Sequence, residues 1–280
     1  MALSHRTRPT TQSHIRLGRK RWRNKDKNDT IYLHGIVVNP DHNNYNMLTS
    51  KELKEFVLSI GAEKCGIASV DRFSETPEGF HPSDIYKDCQ SVIVFLRQMP
   101  TEIIFASNPV PYTHAASILY SCLDKIGFET CIFLQKHGKH GIPIPADNPY
   151  LYWDEKNKHG RGILSMRHSA YLAGLGFLGK NTLLINEELG NMAYIGAILT
   201  NAKFDPDPLV EDFHCPAGCR ICLDSCPLNA LDGITVNQKL YREFSFYQNE
   251  RGFDIYDCNK CRKSCILRTG KRKTGTEVLY

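Results

Sequence analysis

Seven of the chain's eleven cysteines fall within 51 residues, from Cys215 to Cys265. The first group reads Cys-Pro-Ala-Gly-Cys-Arg-Ile-Cys-Leu-Asp-Ser-Cys-Pro, a C-x3-C-x2-C-x3-C-P spacing. The later group, Cys258-Asn-Lys-Cys261-Arg-Lys-Ser-Cys265, is C-x2-C-x3-C. Bacterial proteins with two iron–sulfur clusters use C-x2-C-x2-C-x3-C-P, so the first gap here carries one extra residue. Three cysteines on a tight loop present their thiolates to one cubane. The fourth, beside proline, turns toward a second cluster. On this logic Cys215, Cys219 and Cys222 hold one [4Fe–4S] cluster, with Cys265 as fourth ligand. Cys226, Cys258 and Cys261 hold part of another. That second cluster is one thiolate short, because no cysteine lies between 226 and 258. Tyr241 or a water in the vacant position, a three-iron cluster, or loss of the cluster all remain open.

Zinc is the rival. Cys219-x2-Cys222 and Cys258-x2-Cys261 form two knuckles, and four thiolates suit tetrahedral Zn²⁺. The 35 residues between them exceed the usual gap of about 15–20. Zinc also leaves Cys215, Cys226 and Cys265 without a role, so iron–sulfur is preferred. Lys260, Arg262 and Lys263 would offset an anionic cluster, or equally dock an acidic donor protein. Cys65, Cys89, Cys122 and Cys131 stand singly among apolar neighbours and read as small buried hydrophobes.

The second chemical signal is Ala173-Gly174-Leu175-Gly176-Phe177-Leu178-Gly179-Lys180-Asn181-Thr182. Its glycines match G-x-G-x-x-G, but a helical piece precedes them, an extended piece follows, and no well-placed acid comes after. Gly174 to Lys180 also matches the start of a P-loop. Asn181 then stands where the Mg²⁺-holding Ser or Thr should be, which argues against nucleotide hydrolysis. What remains is a turn that permits close backbone approach, or a loop that lets a flat cofactor lie against backbone.

These residues need a scaffold. Thr49-Ser50-Lys51-Glu52 fits a capping box, and Leu53, Phe56, Val57 and Ile60 follow at helical spacing. Strands are expected over 65–70, 91–96, 128–134, 182–185 and 194–199. Helices are expected over 115–126 and 165–172, with a surface loop over 136–162. The alternation predicts a layered α/β domain over residues 47–205. After Asp205-Pro206-Asp207-Pro208 short segments dominate, so residues 206–270 read as a second, cofactor-stapled domain.

Charge is distributed unevenly. Residues 1–30 carry nine Lys/Arg against two Asp, and residues 259–280 carry seven against one Glu. The middle carries nineteen basic against twenty-seven acidic residues. Residues 1–46 read as a basic flexible leader and 271–280 as a basic tail. Such ends attract phosphate or are solvated. Order begins at Met47, which would serve as a natural start. No eighteen-residue apolar run and no export signal occur, so no membrane partner is expected and the cysteine usage suits the cytoplasm.

The block Ala173–Ile185, with Gly190 and Gly196-Ala-Ile-Leu-Thr200, followed by the double cysteine run, resembles the epoxyqueuosine reductase family, itself related to reductive dehalogenases. The resemblance covers about residues 47–270. It implies an α/β (α+β) fold: a nitroreductase-like, cobalamin-binding-type layered domain, then a small ferredoxin-like domain with two [4Fe–4S] clusters. It implies cobalamin lined by Gly176, Gly179, Lys180, Asn181, Thr182 and Leu184. It also implies electrons from a ferredoxin- or flavodoxin-type donor passing through the clusters to cobalt, and an epoxide on a modified tRNA base as substrate. Three departures stand out. The family's proton-donor Asp, thirteen residues before Ala173, is Gly160, and the Pro and Glu that follow it are Ile163 and Met166. His159 and His168 are alternative donors near neutral pH. The cysteine expected between the two groups is replaced near Tyr241, and Ile266 follows Cys265 where the family has Pro. The reading is an iron–sulfur oxidoreductase with its own substrate. A non-catalytic electron carrier or scaffold is the first alternative, and a zinc-stabilised nucleic-acid binder the second.

Overall fold

The structure, a computed structural model, describes residues 31–33, 36–38, 48–149 and 151–271. Most of the basic leader and residues 272–280 of the tail lie outside the described residues. Within the leader, β1 (Ile31–Leu33) and β2 (Ile36–Val38) pair antiparallel with Leu33 opposite Ile36, although the sequence shows no strand periodicity there. They belong to a separate unit.

The second unit begins at Met47. Its first helix, α1 (Ser50–Ser59), starts at a Thr49 cap whose hydroxyl accepts from the Glu52 amide while the Glu52 carboxylate accepts from the Thr49 amide. That reciprocal pair satisfies two otherwise orphaned donors. The chain continues through β3 (Lys64–Ser69), a single turn α2 (Pro82–Ile85) and β4 (Ser91–Gln98). Then come the long helix α3 (Val110–Lys136), β5 (Gly141–Ile144), a β6 (Tyr152–Asp154)–β7 (His159–Arg161) hairpin and α4 (Met166–Leu172). A short hairpin of β8 (Phe177–Leu178) and β9 (Leu184–Ile185) leads into β10 (Ala193–Thr200).

Four strands form the central sheet in the order β3-β4-β10-β5, every pair antiparallel. The alternation of strands and helices thus yields an α+β sheet, without the parallel pairing that βαβ units would give. The two-residue period of β4 divides it between two cores. Ile93 and Phe95 face α1 and α3, while Val92, Val94 and Leu96 face α4 and the β8–β9 hairpin. Both faces are covered, which is why Val92–Leu96 is apolar throughout. Phe95 is fully buried, and truncating it to alanine would cost about 3–5 kcal/mol.

Helix α3 overturns two sequence expectations. It does not stop at Gly127, and residues 128–134 are its last turns rather than a strand. The buried series Leu119, Leu123, Ile126, Gly127, Thr130 and Leu134 keeps helical spacing to the end. A Cβ on Gly127 would sit 3.5–3.6 Å from Ile198 and Phe95, so the glycine brings helix and sheet together instead of ending the helix. Part of the expected 136–162 loop is also ordered, since β5 supplies the fourth sheet strand.

Residues after 205 lie along this body. Asp207 accepts from the Ile67 amide through Oδ2 at 2.8 Å and pairs with Lys54, while its own amide donates to the Ile67 carbonyl at 2.9 Å. Three short helices follow, α5 (Ile221–Asp224), α6 (Gln238–Ser245) and α7 (Lys260–Ser264), with a β11 (Phe246–Gln248)–β12 (Asp254–Tyr256) hairpin before the last. No described helix is long and apolar enough to cross a membrane.

Candidate metal centre and adjoining cavity

The anchor of the cysteine segment is Phe213, whose ring meets Phe177 of β8 edge-on at 5.1 Å, with Ile185 and Cys265 in the same small cluster. Beyond it the chain turns, the Cys219 amide donating to the Pro216 carbonyl at 3.1 Å. Gly218 takes φ +71° in this turn with open space where a Cβ would be. The longer first gap turns there, at a position glycine occupies without strain.

The structure brings Cys215, Cys219, Cys222 and Cys265 around one tight recess, closed by Lys180, Asn181 and Ile185. Burial pushes the Cys222 thiol up to about 11, and the neighbouring Cys265, Cys215 and Cys219 add to the effect. Burial also raises Cys265, whose other neighbours include Cys215, Cys219 and an Asn191 hydrogen bond. A Ser225–Ser264 hydroxyl pair at 2.8 Å ties the two cysteine loops together.

Cys226, Cys258 and Cys261 lie apart from that recess, on the wall of a cavity of about 410 Å³, with Tyr241 beside them. Burial pushes Cys261 up to about 11, opposed by Arg262 and reinforced by Cys258, Cys222 and Cys226. Burial, then Tyr112 and the two cysteines Cys258 and Cys261, holds the Tyr241 phenol protonated far above its ordinary range. Gly160, Met166, Arg167, Asn181, Thr182 and Lys260 complete much of the cavity. A second cavity of about 510 Å³ shares Arg167, Leu183, Tyr241 and Arg242 with it and adds Tyr112, Tyr120, Tyr194 and Arg262. Among the described residues no three His, Cys, Asp or Glu side chains close on a single-ion position.

The glycine block divides by role. A Cβ on Gly176 (φ +148°) would lie 2.2 Å from the Ile185 carbonyl oxygen, and one on Gly179 would lie 2.5 Å from Ile185 Cδ1. These glycines let β8 fold against β9. Leu184 is 2% exposed and packs in the core below. The next residues reach the site. Lys180 Nζ donates to the Cys219 carbonyl at 2.8 Å, and the Thr182 carbonyl accepts from Arg167. Asn181 stands between recess and cavity. Its Oδ1 accepts from the Leu183 amide at 3.2 Å, while the buried Nδ2 has no partner. A buried amide donor without an acceptor is costly, and here it lies beside four thiols.

Gly160 lines the larger cavity and is gripped by the Gln238 carboxamide, which accepts from its amide at 3.1 Å and donates to its carbonyl at 3.2 Å. A Cβ there would stand 3.2 Å from the Arg242 guanidinium and 3.3 Å from the Trp153 ring. His168 bonds Ser165 at 2.7 Å, and burial, then Arg167, lowers its pKa. His159 pairs with Asp154 across the β6–β7 hairpin. Neither histidine is on the cavity wall. Arg167, Arg242 and Gln238 escape sequence reasoning because their helices carry no motif. Only the fold brings them to the cysteines.

No family model matches the chain. It is 35% identical over 256 residues to the epoxyqueuosine reductase of Bacillus subtilis (strain 168), covering 79% of this chain and 64% of the relative. It is 36% identical over 132 residues to the Staphylococcus aureus (strain NCTC 8325 / PS 47) epoxyqueuosine reductase, covering 42% of this chain and 33% of the relative. The chain thus spans less than two thirds of either. Among solved structures, an epoxyqueuosine reductase from Streptococcus thermophilus superposes with a TM-score of 0.55 at 20% identity, covering 79% of this chain and 66% of that one. An epoxyqueuosine reductase with an epoxyqueuosine-modified tRNA stem loop gives 0.52 at 21%, covering 79% and 65%. A reductive dehalogenase, whose structure suggested a mechanism for B12-dependent dehalogenation, gives 0.54 at 16%, covering 77% and 31%. At such identities the superpositions establish the fold.

Proposed function

The chain is epoxyqueuosine reductase-like in sequence and fold, and on that premise we propose that it is an iron–sulfur oxidoreductase acting on a substrate held in the 410 Å³ cavity. The observation that carries the reading is the convergence of Cys215, Cys219, Cys222 and Cys265 on one recess, one residue away from a cavity wall that bears Cys226, Cys258 and Cys261. Asn181 is that shared residue. Residues 206–270 act as a ferredoxin-like domain. The first set of thiolates holds a complete [4Fe–4S] cluster. The second would hold a cluster by three thiolates, with Tyr241 the side chain beside them where a fourth is missing. The orphaned Asn181 Nδ2 supports the fit, because a cluster sulfide gives it the acceptor that the protein does not.

Asn181, Thr182 and Leu183, facing Met166 and Arg167, would hold a corrinoid, for which the two adjoining cavities offer a common wall. Bound there, the corrinoid supplies a strongly reducing cobalt centre. The chain's own residues bind and orient. Arg167, Arg242 and Lys260 make the cavity attractive to anionic groups, which suits a nucleic-acid substrate such as a modified tRNA loop. Gly160 supplies no proton at the position of the family's aspartate, so either another group protonates the epoxide or the substrate is a different one. Electrons come from a small donor protein in the cytoplasm.

Anaerobic purification with iron, sulfide, zinc and cobalt analysis and EPR tests the reading. Iron and sulfide in excess of four per chain are expected; zinc without either overturns it. A second reading, an electron carrier without its own substrate, draws on Gly160. Trp153 and Arg242 crowd the place where the acid would reach the cavity. Gly160→Asp with a chemical reductant separates the two. Restored epoxide turnover, about 10²-fold or more over the parent as general acids supply, favours the enzyme.

A further inference from the structure

Among the described residues Arg262 is the one charged side chain that is fully buried, at 7% exposure. Its surroundings are neutral. The guanidinium lies over the Tyr194 ring at 5.3 Å, NH1 donates to the Asn191 carbonyl, and Tyr112 is a further hydrogen-bonding neighbour. The ion pairs of the described residues do not include it. Burying a cation without an anion costs several kcal/mol, and carbonyl dipoles and ring faces recover only part of that. An anion close by would recover more of that cost.

The adjoining residue supplies the answer. Cys261 precedes Arg262 on α7 and, with Cys258 and Cys226, lines the cavity that adjoins the one bordered by Arg262, Tyr241 belonging to both. While these thiols are protonated they bring no charge. Once they are thiolates on an iron–sulfur core, the wall next to Arg262 is anionic in both oxidation states, and more so after reduction. Lys260 and Lys263 lie on the same helix but are exposed, over Phe244 at 5.9 Å and Phe105 at 4.9 Å. Water screens their charge more than that of the buried guanidinium, while Arg167 and Arg242 add positive charge on the cavity wall itself.

We propose that Arg262 is the internal countercation of the cluster held by Cys226, Cys258 and Cys261, a positioning residue that raises that cluster's reduction potential. The inference rests on the iron–sulfur reading above. Reduction adds one electron and no proton, so a fixed positive charge stabilises the reduced form more than the oxidised one. The same residue also borders the tyrosine-lined cavity, where a bound anion is the rival partner.

The test is a dye-mediated dithionite titration of the anaerobically reconstituted full chain, followed by EPR. Arg262→Gln is expected to make the second cluster at least ten-fold harder to reduce at a fixed potential, a downward shift of 59 mV for one electron. The first cluster should move far less, and Arg262→Lys should restore most of the midpoint. An unmoved midpoint in Arg262→Gln, or an Arg262→Lys shift as large as that of Arg262→Gln, overturns the proposal. So does a parent midpoint that follows added inorganic phosphate, which would assign the charge to the cavity. If Arg262→Gln retains no iron, Arg262→Lys decides: a full iron complement and the parent midpoint support the proposal, and loss of iron there too overturns it. A parent protein without iron would fail the iron–sulfur reading itself, a distinct result.

Discussion

Asn191 and Arg262 each donate from the side chain to the other's backbone carbonyl, Asn191 Nδ2 at 3.2 Å and Arg262 through NH1. Asn191 is fully buried two residues before β10 and also reaches Cys265. The clasp therefore joins the central sheet to the helix between the two cysteine sets. Asn191→Leu keeps the volume but leaves the Arg262 carbonyl without its donor. The expected cost is about 1–3 kcal/mol. Thermal unfolding of the metal-loaded protein should show it as a fall of roughly 2–4 °C per kcal/mol. An unchanged Tm would mean that water or backbone replaces the bond.

The hairpin under the recess makes a sharper demand. An alanine Cβ at Gly176 would stand 2.2 Å from the Ile185 carbonyl oxygen at φ +148°. Gly79, at φ +82°, has nothing within 4 Å. Gly79→Ala pays only the left-handed backbone penalty of about 1–2 kcal/mol. Gly176→Ala adds a collision that forces β8 away from β9 and moves Lys180 and Asn181. It should unfold at clearly lower denaturant than Gly79→Ala and retain less iron per chain. Equal midpoints for the two variants would contradict the close approach.

Much of this arrangement is legible in the sequence, for reasons that differ by element. The Thr49 cap, β4 and β10 follow from local chemistry and from runs of apolar residues with no polar interruption. Helix α3 is misjudged at Gly127 because a glycine that admits a neighbouring strand looks the same in one dimension as a glycine that ends a helix. The antiparallel order of the sheet depends on which strands meet, and alternation does not encode that. Gly176, Gly179 and Leu184 share a motif with Lys180, Asn181 and Thr182, yet only the latter reach the recess or cavity. The place of Arg242 over Trp153 and the burial of Arg262 against Asn191 depend on contacts between segments far apart in the chain.

Cys89 offers a pH test away from the metal site. It is 2% exposed, and burial pushes its thiol up to about 11 from about 9. The folded protein therefore binds this proton more tightly than the unfolded chain does. Its contribution is fully present below about pH 9 and is lost as pH rises through about 11. Stability measured by urea unfolding should fall over that window, and Cys89→Ala should fall less steeply. Parallel slopes for the two proteins would show that Cys89 ionises alike in both states.

Tyr241 is where the chain lacks a thiolate. It lines both cavities beside Cys226, Cys258 and Cys261, and its phenol is held protonated by burial, by Tyr112 and by those cysteines. If the phenol stays neutral beside a bound cluster it is a weak ligand, and a cluster held by the three thiolates alone would be open to exchange at its fourth iron. Cysteine in its place offers a thiolate from a shorter side chain on the same face of α6. The loss of the Tyr241 ring also removes an edge contact with Phe246 at 5.6 Å, worth about 0.5–1.5 kcal/mol. Tyr241→Cys should thus be slightly less stable when metal-free, yet release its iron several-fold more slowly to a chelator under argon. If release is as fast as from the parent, the thiolate does not reach the iron, and the vacancy lies elsewhere on α6. If release is slower and the EPR signal of the second cluster sharpens into one species, the chain carries a site-differentiated cluster. Its open corner would then face the cavity in which the substrate is proposed to bind.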